Sequence, residues 1–244
     1  MEHHDILRLA IVGRGRMGRE IEARSHDHGL EVVERFDSAH PVGAATVIDF
    51  DVAIEFTNPA VVLDNIAALL RLSRPIVVGT TGWHDGLEHV RALVEQHRGR
   101  LIYASNFSIG VLTFTKIVRE AARLFNDVDG YDAAVHEVHH AGKADAPSGT
   151  ALAIARVMLE RLERKSAILG ETAHGRIAAD ALHVTSQRLG ATVGTHSVAF
   201  DSEADTIELV HRAKSRAGFA IGALLAARWI TEQPPGLYRF EEVF

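Results

Sequence analysis

The chain has 244 residues, of which 47% are hydrophobic and 24% charged, ordinary values for a globular protein of one large domain or two small ones. A formal net charge of −6 argues against a broad nucleic-acid-binding face, and no apolar run approaches the roughly 20 residues that span a bilayer. The absence of cysteine excludes disulfides, thiolate nucleophiles and Cys-ligated metals, and fits a cytoplasmic protein.

The opening residues MEHHDILRLA carry no basic stretch before an apolar run, so no secretory signal is expected, and His3-His4 is too short for an affinity tag. Ile6–Val12 reads as a buried strand, followed by a glycine turn and a helix over Met17–Ser25. Further strands are expected at Leu30–Arg35, Asp51–Thr57, Pro75–Gly82 and Leu101–Asn106. Helices opening after Pro59 and spanning Leu87–His97 separate them. This alternation predicts an α/β fold, a doubly wound parallel sheet of the Rossmann type. The rhythm then changes. A long helix is expected over Ser108–Phe125, an extended run over Tyr131–His140 and a helix over Ser148–Arg164. Strand-like runs at Ala181–Leu189, Gly194–Phe200 and Thr206–Ala213 predict a second, smaller α+β domain with a mostly antiparallel sheet. A last apolar helix, Phe219–Ile230, is expected to pack back on the first domain.

Gly13-Arg14-Gly15-Arg16-Met17-Gly18 is a G-x-G-x-x-G run between a strand and a helix, with Glu34 about 20 residues on. Glycines there permit a tight turn and let helix N–H groups approach a pyrophosphate. Glu34 suits the ribose hydroxyls of NAD, whereas Arg35, with Arg14 or Arg16, suits the 2′-phosphate of NADP. These features pull in opposite directions, so use of both NADH and NADPH is expected. The segments Gly79-Thr80-Thr81-Gly82 and Ala104-Ser105-Asn106-Phe107 end the fourth and fifth strands, on the carboxyl edge where ligands of such sheets bind.

His136-Glu137-Val138-His139-His140 spells H-E-x-x-H, a zinc-peptidase signature that requires a helix. The alternation of Tyr131, Ala133 and Val135 favours a strand instead, in which positions four apart lie about 13 Å from each other. No metal is therefore expected. Beyond it, Pro147 and Ser148 suit a helix start, with Ser148 as N-cap and Gly149 and Thr150 in the anion-attracting first turn. Lys143 lies just upstream, one of only four lysines among 26 basic residues. An imidazole at His139 or His140, a cation and an anion-binding helix end suit a carboxylate substrate that must accept a proton.

Glu137 through Ala151, EVHHAGKADAPSGTA, resembles the signature of the 4-hydroxy-tetrahydrodipicolinate reductase family, also called dihydrodipicolinate reductase. The likeness extends along the chain through GRMGR, EFTNP, VVGTTGW, ASNFSIGV, GTHSVAF, HRAKSR and the terminal GLY, in the family's order. The resemblance implies a dinucleotide-binding domain over 1–107 and 217–244, a substrate-binding and oligomerisation domain over 108–216, and a homotetramer. It implies His139 as general acid, Lys143 as its partner in proton donation, and His140, Ser148, Gly149 and Thr150 as substrate-carboxylate ligands. Gly13, Arg14, Gly15, Arg16, Met17, Gly18, Glu34, Arg35, Phe56, Thr57, Gly79, Thr80, Thr81, Ala104, Ser105, Asn106 and Phe107 would line the NADH or NADPH site. Two departures stand out: Ala134 where an acidic residue is common, and Ala141 where members often carry arginine. The chain is also short between Arg35 and Asp51, on the adenine side.

The implied reaction is reduction of a cyclic dicarboxylate in lysine and diaminopimelate biosynthesis, with hydride reaching ring C4 and His139 supplying a proton to C3. Three other readings are a non-catalytic NAD(P)-binding regulator, a reductase of another dicarboxylate, and a zinc peptidase built on H-E-x-x-H. Retention of both His139 and Lys143 argues against the first, the KADAPSGTA loop against the second, and the strand pattern against the third.

Overall fold

The β-branched runs spaced between helices pair side by side as a parallel sheet. The computed structural model describes residues 6–43 and 49–244; His3, His4 and residues 44–48 of the short stretch after Arg35 lie outside the described residues. The elements run β1 (Leu7–Val12), α1 (Arg16–Ser25), β2 (Leu30–Phe36), β3 (Val52–Glu55), α2 (Val62–Arg71), β4 (Ile76–Val78), α3 (Leu87–Gln96) and β5 (Arg100–Tyr103). Then follow α4 (Ile109–Asn126), β6 (Asp132–His139), α5 (Gly149–Leu159), β7 (Ala167–Leu169), β8 (Ala181–Arg188), β9 (Gly194–Asp201), β10 (Thr206–Ala213), α6 (Ala217–Thr231) and β11 (Gly236–Arg239). The chain divides into two compact units, Met1–Ile109 with Arg216–Phe244, and Gly110–Ser215.

The first unit holds a six-stranded sheet in the order β11-β5-β4-β3-β1-β2, with every pairing parallel. The strand order reverses between β1 and β3, so the crevice beyond their carboxyl ends is where such a sheet takes a ligand. Alternation along each strand splits the apolar residues between two cores. Ala10, Val12, Ala53, Val78 and Leu101 pack under α2 and α3 with Ile66, Leu69 and Val90. Leu9, Ile11, Ile54, Val77 and Ile102 are equally buried on the opposite face, where α1 and α6 lie. Each buried valine, leucine or isoleucine among them contributes about 1.5–3 kcal/mol relative to exposure.

The strands are shorter than their apolar runs. β3 stops at Glu55, β4 at Val78 and β5 at Tyr103; the N–H groups of Phe56, Gly79 and Ala104 make one more bond each to the neighbouring strand, and the chain then turns into loops on the carboxyl edge. β7 and β11 are absent from the sequence-based expectation: short edge strands carry too little periodicity to stand out.

The second unit holds the sheet β10-β9-β6-β8-β7. Its pairings are antiparallel from β10 through β9 to β6, but parallel from β6 through β8 to β7. The expectation of a mostly antiparallel sheet is corrected to a mixed one. The reason is two return connections, α5 between β6 and β7 and residues 170–180 between β7 and β8, which set β7 and β8 in the direction of β6. Phe114, Val118 and Ala122 of α4 and Ile154, Ala155 and Met158 of α5 cover one face, against Val135, Val184, Val198 and Phe200. The expected helix to Arg164 ends at Leu159. There Arg164 Nη1 donates to the Phe125 carbonyl at 3.0 Å and the Glu163 N–H to Asn126 Oδ1 at 2.9 Å, tying the chain to the end of α4.

Candidate active site

In the first unit, the turn after β1 is closed by two glycines and left open by a third. Gly13 has φ +104, and a Cβ there would stand 2.2 Å from the Phe56 carbonyl oxygen. A Cβ on Gly18 would stand 2.0 Å from the Gly13 oxygen. Gly15, the N-cap of α1, has extended geometry, and a Cβ there would meet nothing within 4 Å. The first turn of α1 has neither a side-chain cap nor an acidic residue, so its N–H groups and dipole suit an external anion. A cavity of about 330 Å³ joins Gly15, Arg16 and Met17 to Phe56, Thr57, Asn58 and Pro59 after β3, and to Gly79, Thr80 and Thr81 after β4. An open glycine over an uncapped helix start fits a dinucleotide pyrophosphate.

Beneath these loops Thr80 Oγ1 accepts from the Thr57 N–H at 2.7 Å. Glu55, fully buried at the end of β3, accepts from the Thr57 hydroxyl and from Asn65 Nδ2 at 3.3 Å. Burial pushes the Glu55 carboxyl above its ordinary value, against the hydrogen bonds from Thr57, Thr80 and Asn65. Its Oε2 has no partner among the described residues, which a protonated acid tolerates better than a carboxylate.

Several expected cofactor residues do not line this cavity. Gly18 is buried against the turn itself. Phe107 is 1% exposed and packs on Phe240 at 4.8 Å and Phe56 at 6.1 Å between ring centroids. Its ring thus serves the core. The Ala104 N–H continues the ladder to the Val78 carbonyl, and Asn106 Oδ1 accepts from the Ser108 N–H ahead of α4. None of Ala104, Ser105, Asn106 and Phe107 lines the cavity. At the other end, Arg35 donates from Nε and Nη2 to Glu22 at 2.8 and 2.6 Å. Arg14 faces Asp37 at 3.4 Å. Glu34 accepts from the Arg35 N–H.

In the second unit, β6 alternates exposed and buried positions, placing Ala133, Val135, Glu137 and His139 inward and Ala134 and His136 outward. His136 and Glu137 therefore lie on opposite faces of a strand. The H-E-x-x-H run is not a zinc helix, and His136 pairs with Thr185 at 2.7 Å on the outer face. Inward, Glu137 is fully buried and accepts hydrogen bonds on both oxygens. His139 Nδ1 bonds Oε2, while Arg188 Nη2 and the Ser148 N–H reach Oε1 at 2.9 and 3.2 Å. Burial would raise the Glu137 carboxyl, but the hydrogen bonds from Arg188, His139 and Ser186 outweigh it and hold the group below its ordinary value.

Ser148 caps α5, its Oγ accepting from the Ala151 N–H at 3.2 Å, as the sequence predicts. Lys143 Nζ lies 2.6 Å from Asp145, whose other oxygen accepts from the Gly149 N–H at 3.3 Å. The lysine and the helix start thus converge on one carboxylate. The Lys143 contact leads the causes that hold Asp145 below its ordinary value. His140 follows the end of β6, and its carbonyl accepts from the Lys143 N–H at 3.1 Å. Thr150 is half-buried in the first turn of α5.

His196, on β9, stacks edge-on against His139 at 5.1 Å and meets Ser148 Oγ at 3.3 Å. Burial, followed by repulsion from His139, pushes its pKa down to about 4. Glu137, Arg188, Glu55 and His196 escape the sequence-based selection. For Glu137 a signal existed: a carboxylate two residues before a histidine shares its strand face.

Family descriptions reading dihydrodipicolinate reductase, N-terminus, and dihydrodipicolinate reductase, C-terminus, match residues 7–107 and 110–244. The 4-hydroxy-tetrahydrodipicolinate reductase of Christiangramia forsetii is 34% identical over 97% of both chains. That of Methanopyrus kandleri is 39% identical over 80% of this chain and 71% of its own. Among solved structures, a dipicolinate-bound dihydrodipicolinate reductase from Paenisporosarcina sp. TG-14 superposes with a TM-score of 0.78 at 26% identity, covering 98% of this chain and 100% of that one.

Proposed function

This chain belongs to the dihydrodipicolinate reductase family, and from that premise we propose that it reduces 4-hydroxy-tetrahydrodipicolinate, or the dihydrodipicolinate formed by its dehydration, to tetrahydrodipicolinate in lysine and diaminopimelate biosynthesis. The family and the Rossmann-type sheet imply a nicotinamide cofactor, which when bound supplies hydride to ring C4. Gly13 and Gly18 shape the turn, Gly15 and the start of α1 hold the pyrophosphate, and Arg16, Met17, Phe56, Thr57, Gly79, Thr80 and Thr81 line the cavity beside it. Ala104, Ser105, Asn106 and Phe107 support this edge from the next strand end.

Glu34 receives the adenosine ribose. Arg35 is committed to Glu22, and Arg14 faces Asp37, so a 2′-phosphate would have to compete with a carboxylate for each guanidinium. NADH is therefore the preferred reductant and NADPH the poorer one.

The observation that carries the reading is the convergence of Lys143 and the Gly149 N–H on the Asp145 carboxylate, beside a histidine held by a buried acid. A substrate carboxylate replaces Asp145 on those donors, with His140, Ser148 and Thr150 completing the subsite. Hydride arrival at C4 drives electron density to C3, and His139 supplies the proton there. Lys143 opposes the negative charge as it develops, a preorganised electrostatic contribution. Residues 1–107 with 217–244 serve the cofactor, and 108–216 serve the substrate and a homotetramer. Among the described residues no helix is long and apolar enough to cross a membrane, and the proposed location is the cytoplasm.

His139→Ala tests this reading. Loss of a general acid lowers kcat by about 10²–10⁴-fold, with the NADH dissociation constant unchanged. An unimpaired kcat would remove His139 from the reaction.

A further inference from the structure

The glutamate of the false zinc motif is left without a role by the reaction as described, yet both of its oxygens are hydrogen-bonded beside the proton donor. Glu137 is fully buried. One oxygen accepts from His139 Nδ1, and the other accepts from Arg188 Nη2 and the Ser148 N–H. Arg188 stands opposite His139 in the β6–β8 register. It also donates to the carbonyls of Lys143, from Nε at 3.3 Å, and of Asp145. One carboxylate therefore links the histidine, the cap of α5 and, through Arg188, the lysine loop.

His139 Nε2 takes no hydrogen bond from the described residues and lies over Gly194, where any Cβ would stand 2.9 Å away. A carboxylate on Nδ1 can only accept, so the proton on that side stays on Nδ1, and Nε2 is the nitrogen that exchanges a proton with the outside.

We propose that Glu137 is a positioning residue that fixes the tautomer and orientation of His139, with Arg188 locking Glu137 in place. This rests on the reading of His139 as proton donor. The donor pattern makes the conservative amide informative. In Glu137→Gln the side-chain oxygen must face Arg188 and the Ser148 N–H, which both donate. The NH₂ group then faces His139 Nδ1 and forces it to be an acceptor. The ring proton moves to Nε2, and a doubly protonated ring would set two donors against each other.

Long-range ¹H–¹⁵N correlation spectra of histidine-labelled protein read the tautomer directly, with His139 assigned by comparison with His139→Gln. In its neutral form wild-type His139 is expected to carry its proton on Nδ1, and Glu137→Gln to carry it on Nε2. The variant's kcat is expected to fall about 10²–10³-fold, with the NADH dissociation constant unchanged and a solvent deuterium isotope effect larger than wild type. A merely structural glutamate would move neither tautomer nor isotope effect. If Glu137→Gln does not fold, the wild-type spectrum still decides, since an Nε2–H tautomer there overturns the proposal. A folded Glu137→Gln within threefold of wild-type kcat also overturns it. If His139→Ala abolishes turnover in the same assay, that outcome removes Glu137 alone and leaves His139 in place.

Discussion

Three alanine substitutions in one turn separate what the glycines do for the fold from what they do for the cofactor. In Gly13→Ala the new methyl would sit 2.2 Å from the Phe56 carbonyl oxygen, in a residue with φ +104. Nonbonded heavy atoms prefer about 3.5 Å, so the turn must open by roughly 1 Å. A left-handed backbone costs about 1–2 kcal/mol and overpacking about 1–3 kcal/mol. In Gly18→Ala the methyl would meet the Gly13 oxygen at 2.0 Å in an otherwise helical residue, so only the overpacking cost applies. For a chain of this length each kcal/mol lowers Tm by roughly 2–4 °C. Gly13→Ala should therefore melt about 4–20 °C early, and Gly18→Ala about 2–12 °C early. Gly15→Ala differs, because its backbone is extended and a Cβ there meets nothing within 4 Å. Its Tm should fall by only about 1–4 °C, since the N-cap preference of glycine over alanine is about 0.5–1 kcal/mol. Its NADH affinity should fall at least tenfold, about 1.4 kcal/mol, because the methyl stands where the pyrophosphate must approach. Thermal melts and NADH fluorescence titrations of the three variants read both effects. Wild-type NADH affinity in folded Gly15→Ala would refute the assignment of this turn to the cofactor, and an unchanged Tm in Gly18→Ala would refute the packing argument.

His196 and Glu55 predict opposite pH trends in stability. The folded-state pKa of His196 is pushed down to about 4 from 6.5 by burial, with His139, His211 and Lys143 adding repulsion and Glu137 opposing it. The unfolded chain therefore binds more protons between those values, so this contribution is full above pH 6.5 and lost as pH falls toward about 4. It amounts to about 3 kcal/mol, and His196→Gln should show a flatter Tm profile across that window. Glu55 is shifted upward by burial, so the folded state holds its proton longer, and stability is lost as pH rises above the ordinary carboxylate range. Glu55→Gln mimics the neutral acid and should match or exceed the wild-type Tm at pH 8. A lower Tm there, with the Thr57 and Thr80 contacts intact, would mean that the carboxylate is the folded form.

Most of the first unit was legible because buried parallel strands and amphipathic helices differ in period and length, and the glycine turn sits between one of each. Less was legible where pairing depends on distant chain. Nothing in Ala181–Leu189 announces that it lies parallel to β6, because that direction is set by α5 and by the further return over residues 170–180. The early end of α5 at Leu159 is likewise tertiary, fixed by Arg164 and Glu163 against the end of α4. In the site, Lys143, Ser148 and Gly149 could be read from local chemistry, since a lysine before a capped helix start states its purpose within a few residues. Arg188 could not, being 45 residues from Lys143 and joined to it only by sheet register. Arg35 shows the converse. Its place beside Glu34 suggests a 2′-phosphate ligand, but a glutamate one helix away already holds its guanidinium.

The most direct test of the account is steady-state oxidation of NADH and NADPH by the purified chain with freshly generated 4-hydroxy-tetrahydrodipicolinate. The account predicts oxidation that depends strictly on this substrate, a higher kcat/KM with NADH than with NADPH, and tetrahydrodipicolinate formed in equal amount to the cofactor consumed. Tight NADH binding with no substrate-dependent oxidation of either cofactor would contradict it.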